Sequence, residues 1–215
     1  MRYVAWWVMV MGLALAGCRV EPSSAQAIAS RTYGPALYME RCALCHGAQG
    51  EGMGKVGNAI GNQEFLATAS DGFLETAIAQ GRPGTTMVPW AENGLNQYQI
   101  RSLVRYMRTW QTTPSVGLDP TKVAQGDRAR GEGLYAQHCA SCHGPQGDPG
   151  RDPNLAGTHL SNPVFLAQAS DAFLSYAIAN GRTGTTMQAF SQAKGGPLDD
   201  QQIEDVVTYI RSLQK

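Results

Sequence analysis

Residues 62–87, NQEFLATASDGFLETAIAQGRPGTTM, align without gaps onto residues 162–187, NPVFLAQASDAFLSYAIANGRTGTTM, with 18 identities in 26 positions. Self-similarity on this scale marks a duplicated structural unit, and it extends in both directions. Upstream, Gly34, Leu37, Tyr38, Cys42, Cys45 and His46 recur as Gly131, Leu134, Tyr135, Cys139, Cys142 and His143. The offset there is three residues smaller than in the central block, which places a three-residue difference in a loop between His143 and Asn162. Downstream, Leu95-Asn96 matches Leu198-Asp199. Each copy reads as helical. A first helix runs into the cysteine pair. A second starts at Ser70-Asp71 or Ser170-Asp171 and stops at Gly81 or Gly181, with a capping residue in front and a glycine behind. In the third, Ile100, Leu103, Val104, Met107 and Trp110 form a stripe of helical period, repeated by Ile203, Val206, Val207, Ile210 and Leu213. Asn96 with Gln99, and Asp199 with Gln202, have capping-box spacing. No convincing strand-period run appears, so the fold class is all-α.

Residues 111–125 contain Pro114, Gly117 and Pro120 without periodicity and read as a linker. The expected organisation is a leader at 1–17, a tether at 18–33, one domain at 34–112, the linker at 113–125 and a second domain at 126–215. A unit of this size has an apolar core worth only about 3–5 kcal/mol and commonly needs a staple.

The staple is written in residues 42–46, CALCH, and 139–143, CASCH. Both are Cys-x-x-Cys-His, the attachment pattern of a c-type haem: two thiols form thioethers with the porphyrin, and the next residue's imidazole comes under the iron. A thioredoxin-like redox pair requires a βαβ setting absent here, and a zinc cage would couple two units that repeat independently. The cofactors expected are two covalently bound haem c groups, with His46 and His143 as iron ligands. For a sixth ligand, only Met87 and Met187 correspond between the copies; Met39, Met53 and Met107 align with Ala136, Gly150 and Ile210. Both sit at the end of Gly-Arg-x-Gly-Thr-Thr-Met, where a glycine-rich loop can return a thioether over a haem face.

With these motifs in place, each half resembles a class I cytochrome c domain, and the resemblance covers nearly everything from Gly34 onward. It implies two tandem helical domains, each wrapped round one covalent haem, with Cys42, Cys45, His46 and Met87 holding the first and Cys139, Cys142, His143 and Met187 the second. It also implies that Gly34 and Tyr38 pack against Tyr106, and Gly131 and Tyr135 against Tyr209. The proline that many members carry after the haem histidine has no clear match in the first copy, where Gly57-Asn58-Ala59 stands; Pro153-Asn154-Leu155 resembles it in the second. Arg82 and Arg182 are read either as partners of haem propionates or as cations beside a helix C-terminus. Trp90 and Phe190 read as core at the haem edge, His138 as an exposed helix residue, and His159 as solvated or propionate-bonded.

The amino terminus carries Arg2, an apolar run and Leu15-Ala16-Gly17-Cys18, which resembles a bacterial lipoprotein signal. The apolar run, 15 residues, is short for a membrane span. Cys18 is therefore the expected lipidation site, and Arg19 leans toward the outer membrane. Lys+Arg and Asp+Glu balance at 17 each, which excludes a nucleic-acid binder and strong electrostatic steering. His/Met ligation leaves no open iron position, so electron transfer rather than catalysis at the haem is expected. The reading is a membrane-tethered dihaem electron carrier or cytochrome subunit on the periplasmic side. Its expected partners are redox proteins: a quinol- or substrate-oxidising complex, a terminal oxidase or a soluble cytochrome. The alternative is a dihaem enzyme such as a peroxidase or thiosulfate dehydrogenase.

Overall fold

The computed structural model describes residues 24–214 except 55, 151, 153, 154 and 156. Cys18 and the leader lie outside them, as do Pro153 and Asn154. Among the described residues there are ten α-helices and no strand, with one isolated bridge between Ser191 and Leu198. In the first half these are α1 (Ser24–Arg41), α2 (Ala43–His46), α3 (Gln63–Thr68), α4 (Asp71–Gln80) and α5 (Gln97–Arg108). In the second they are α6 (Arg128–His138), α7 (Ala140–His143), α8 (Pro163–Gln168), α9 (Asp171–Asn180) and α10 (Asp200–Ser212). The all-α expectation holds. One boundary differs: α1 begins at Ser24, so residues 24–33, read from sequence as tether, continue the first helix of the domain.

The first and last helices of each copy cross, and the crossing is made close by glycine. A Cβ on Gly34 would lie 2.5 Å from the Ser102 carbonyl oxygen, and one on Gly131 would collide with the Asp205 carbonyl. The tyrosine one turn later fills the angle: Tyr38 meets Tyr106 edge-on with centroids 5.5 Å apart, and Tyr135 meets Tyr209 at 5.1 Å. Tyr38 donates to the Gly47 carbonyl at 2.7 Å and Tyr135 to Gly144 at 2.9 Å, which ties α1 and α6 to the turn leaving each Cys-x-x-Cys-His. Both capping boxes on α5 and α10 are formed, and Ser70 and Ser170 cap α4 and α9.

Two short helices, α3 and α8, were not anticipated; each is capped by an asparagine, Asn62 or Asn162. They are pinned by an arginine of the last helix. Arg108 donates to Asp71 at 2.7 Å and to the carbonyls of Leu66 and Ala69, and Arg211 binds Asp171, Leu166 and Ala169 in the same way.

The two domains pack through these elements, α3 against α9 and α4 against α8. Phe73 and Phe173 stack with centroids 5.2 Å apart, while Phe65 and Phe165 meet them edge-on across the boundary. Asn62 Nδ2 donates to the Thr183 carbonyl and Asn162 Nδ2 to the Pro83 carbonyl, both at 2.9 Å. Each of these contacts pairs with its equivalent 100 residues on, so the two copies are related by an approximate two-fold axis through the phenylalanine stack. The linker is strapped along both copies: Val116 N–H donates to the Ala67 carbonyl, and Ala124 N–H to Asp171.

Candidate haem-binding sites

Each Cys-x-x-Cys-His sits on a single helical turn, α2 or α7, entered from the longer helix before it. The His46 N–H bonds back to the Cys42 carbonyl and the His143 N–H to Cys139, so two sulfurs and an imidazole are presented from one turn. Burial pushes the Cys42 thiol up to about 11 and the Cys139 thiol up to about 12. A thiol-disulfide exchange centre requires the opposite shift. Among the described residues no three His, Cys, Asp or Glu side chains converge, so the two cysteine pairs do not form one zinc cage.

His46 Nδ1 lies 2.9 Å from the Asn58 carbonyl oxygen, and His143 Nδ1 lies 2.8 Å from that of Thr158. A carbonyl only accepts, so Nδ1 carries the proton and Nε2 keeps its lone pair for a metal. Burial lowers the pKa of both imidazoles against the opposing pull of those carbonyls, which favours the neutral, ligating form. The sequence comparison left the first copy without a proline-borne acceptor and pointed to Pro153-Asn154-Leu155 in the second. The structure corrects this: the acceptor is the residue after Gly57 or Gly157, in both copies alike. Those glycines are needed because the loop lies on the motif. A Cβ on Gly157 would stand 2.5 Å from His143 Nδ1, and one on Gly57 would strike the Cys45 carbonyl.

Met87 and Met187, both half-buried, end tightly closed loops. The Arg82 N–H donates to the Met87 carbonyl at 2.8 Å and Arg182 to Met187 at 2.7 Å; Thr85 and Thr185 Oγ1 accept from the methionine N–H at 3.1 Å. Met187 packs on the apolar core. A surface hollow of about 670 Å³ adjoins the first loop, lined by Arg82, Thr85, Met87 and Pro89, but neither His46 nor Cys42 is among its walls.

Of the residues singled out from sequence, Phe190 is buried and Trp90 half-buried. His138 is not an exposed helix residue: it is half-buried with its ring 6.2 Å from Phe190, because α6 packs that flank against the loop after Met187. His159, 19% exposed, lies 3.7 Å from Asp148. The arginines have a setting that the sequence did not show. Arg82 lies over Phe73 and Phe165, and Arg182 over Phe65 and Phe173, at 5.2–5.9 Å, so both belong to the domain boundary. Gly-Arg-x-Gly-Thr-Thr-Met together with Asn-x-x-Phe was the available signal, but repetition alone does not distinguish a domain interface from an internal packing element.

The family model described as Cytochrome c matches residues 128–214, and that described as Cytochrome C oxidase, cbb3-type, subunit III matches residues 29–107. The chain belongs to the dihaem c-type cytochromes. Two cytochrome c domains carry two covalently bound haem c groups, and the free imidazole nitrogens and paired thiols fit that cofactor. This dihaem cytochrome is 26% identical over 201 residues, 90% of its length, to the cbb3-type cytochrome c oxidase subunit FixP of Bradyrhizobium diazoefficiens. It is 27% identical over 194 residues to the subunit CcoP of Azospirillum sp.. It spans 61–64% of the length of these relatives. A solved assembly described as the Kuenenia stuttgartiensis reducing HAO-like protein complex contains a chain sharing the fold, with a TM-score of 0.51 and 21% identity, over 85% of this chain and 96% of that one.

Proposed function

We propose that this protein passes single electrons as the lipid-tethered, periplasm-facing cytochrome subunit of a respiratory oxidase complex. When bound, each haem takes up and releases one electron. Cys42 and Cys45, and Cys139 and Cys142, hold the haems through thioethers. His46 and His143 provide the nitrogen ligand, each oriented by its Nδ1–H to the Asn58 or Thr158 carbonyl. Met87 and Met187 complete the ligand sets from the closed loops. The observation that carries the reading is that both copies keep the same imidazole hydrogen bond and the same methionine loop. Both copies keep the same methionine, whereas an enzyme's active haem would depart from that ligand set. The similarity to cbb3-type oxidase subunits over most of this chain supports the choice of partner.

No described helix is long and apolar enough to cross a membrane. Attachment is assigned to acyl chains on Cys18, more than one being needed for a firm hold. A haem-stained native gel of mildly solubilised membranes tests the assignment. Co-migration with a terminal oxidase, identified by mass spectrometry, is the expected result; a band at the monomer position rejects a fixed subunit and favours a tethered shuttle.

A further inference from the structure

The chain neutralises its withdrawn arginines with aspartates, except at two places. Arg108 meets Asp71 and Arg211 meets Asp171. Among the described residues neither Arg82 nor Arg182 has a carboxylate within ion-pair distance. Arg182 Nη1 is buried with no hydrogen-bond partner, and the Arg82 guanidinium donates only to the Gly81 carbonyl, at 3.1 Å. Glu64 acts on Arg182 only through space, because its carboxylate receives Thr183 Oγ1 at 2.5 Å. Burial pulls both guanidiniums down to about 10. A guanidinium has five N–H donors, and a buried cation without an anion is costly. The phenylalanine faces beneath Arg82 and Arg182 offset part of that cost but accept none of the N–H groups.

The helix C-terminus does not account for the pair. It occupies one donor of Arg82 and none of Arg182, yet both arginines hold the same place in both copies. What each domain contains once is one stranded guanidinium and one haem, and a haem brings two carboxylates of its own. We infer that Arg82 and Arg182 are propionate-binding residues, each receiving a carboxylate of the haem in its own domain through the free edge of its guanidinium. The backbone bond from each arginine to the carbonyl of its own loop methionine ties it to the loop that would supply the sulfur ligand in the same domain, which is why each is assigned to the haem of its own domain. Because both arginines lie on the boundary phenylalanines, a carboxylate received by either would lie at the boundary between the domains. The inference rests on the presence of haem and is independent of the oxidase assignment.

The test uses the full-length holoprotein. Arg82→Met keeps an apolar stem on the rings and removes the charge; Arg82→Lys keeps the charge; Arg182 is treated in the same way. An uncompensated carboxylate favours the oxidised iron, so Arg82→Met should lower the potential of the first haem by a tenfold or greater change in its redox equilibrium, about 59 mV for one electron. Arg82→Lys should restore most of that, and the haem of the other domain should move less. Unchanged potentials, equal shifts in the Met and Lys variants, or a larger shift at the other domain's haem overturn the inference. Haem content is measured on each variant, so a failure to take up the cofactor is separated from a change in its charge environment. The wild-type protein supplies a readout that needs no variant. The propionate bending mode in its resonance Raman spectrum should shift on exchange into D₂O, as for a carboxylate held by exchangeable N–H groups, and to a smaller extent in Arg82→Lys and Arg182→Lys. An unshifted mode contradicts the inference whatever the fate of the Met variants.

Discussion

Asp205 is the residue whose chemistry most sharply separates two otherwise equivalent domains. Its side chain is 1% exposed and accepts from Arg130, from the Asp127 N–H at 2.6 Å and from Gln201, while the matching position in the first domain is the buried Ser102. The hydrogen bonds from Arg130 outweigh desolvation and hold the carboxyl down at about 2. A depressed folded-state pKa gives stability that is complete above the unfolded value of about 3.9 and is lost as pH falls toward 2. The contribution is about 2 kcal/mol. Asp205→Asn should therefore destabilise the second domain by about that amount at pH 7, with the difference from wild type closing between pH 4 and pH 2 in thermal melts. A difference independent of pH would show that the carboxylate charge is not the cause.

The cysteines and histidines proposed to hold the haems could be named from sequence because covalent attachment demands a fixed spelling, and the proposed methionines because only two survive the alignment of the copies. The proximal carbonyl was not legible, since any residue can supply one. Only the glycine before it leaves a trace. Gly157→Ala should push the His143 ring off its Thr158 acceptor and destabilise the holoprotein by about 1–3 kcal/mol, read by melting and by haem retention. An unchanged melt would show that the loop can move away.

At the scale of elements, long periodic helices and their caps were readable, whereas α3 and α8 were not. Six-residue helices have too few turns to show a period, and these two depend on partners distant in sequence. Arg211 in α10 is such a partner for α8, and it also binds an Asp171 carboxylate that is only 11% exposed. Arg211→Ala strands that carboxylate and two carbonyls, at a cost of about 3–5 kcal/mol by analogy with broken buried pairs. The same change at Arg108 should cost less, because its Asp71 is 66% exposed and water can replace the guanidinium. Equilibrium unfolding of the two variants checks the order, and equal losses would contradict it. The start of α1 was misjudged because residues 24–33 carry no sustained apolar stripe, the signal by which a helix is read.

Over the whole molecule, duplication was visible in the sequence but the way the copies pack was not. Phe65, Phe73, Phe165 and Phe173 have the spacing of ordinary core residues, and only the folded pair reveals that they meet across an approximate two-fold axis. The interface is apolar, buried and bracketed by hydrogen bonds from Asn62 and Asn162, so the domains should unfold together. Phe173→Ala removes half of the central stack, and calorimetry should then resolve two transitions in place of one; a single transition in the variant would show that the linker alone couples the domains.

The proposed function requires both haems to be closed by a nitrogen and a sulfur ligand, so that they serve electron transfer without a site for exogenous ligands. Its most direct test is the spectrum of the reduced, undenatured holoprotein with and without carbon monoxide. The prediction is no change at either haem. A carbon monoxide adduct at one haem would show an open iron and return the protein to the class of dihaem enzymes.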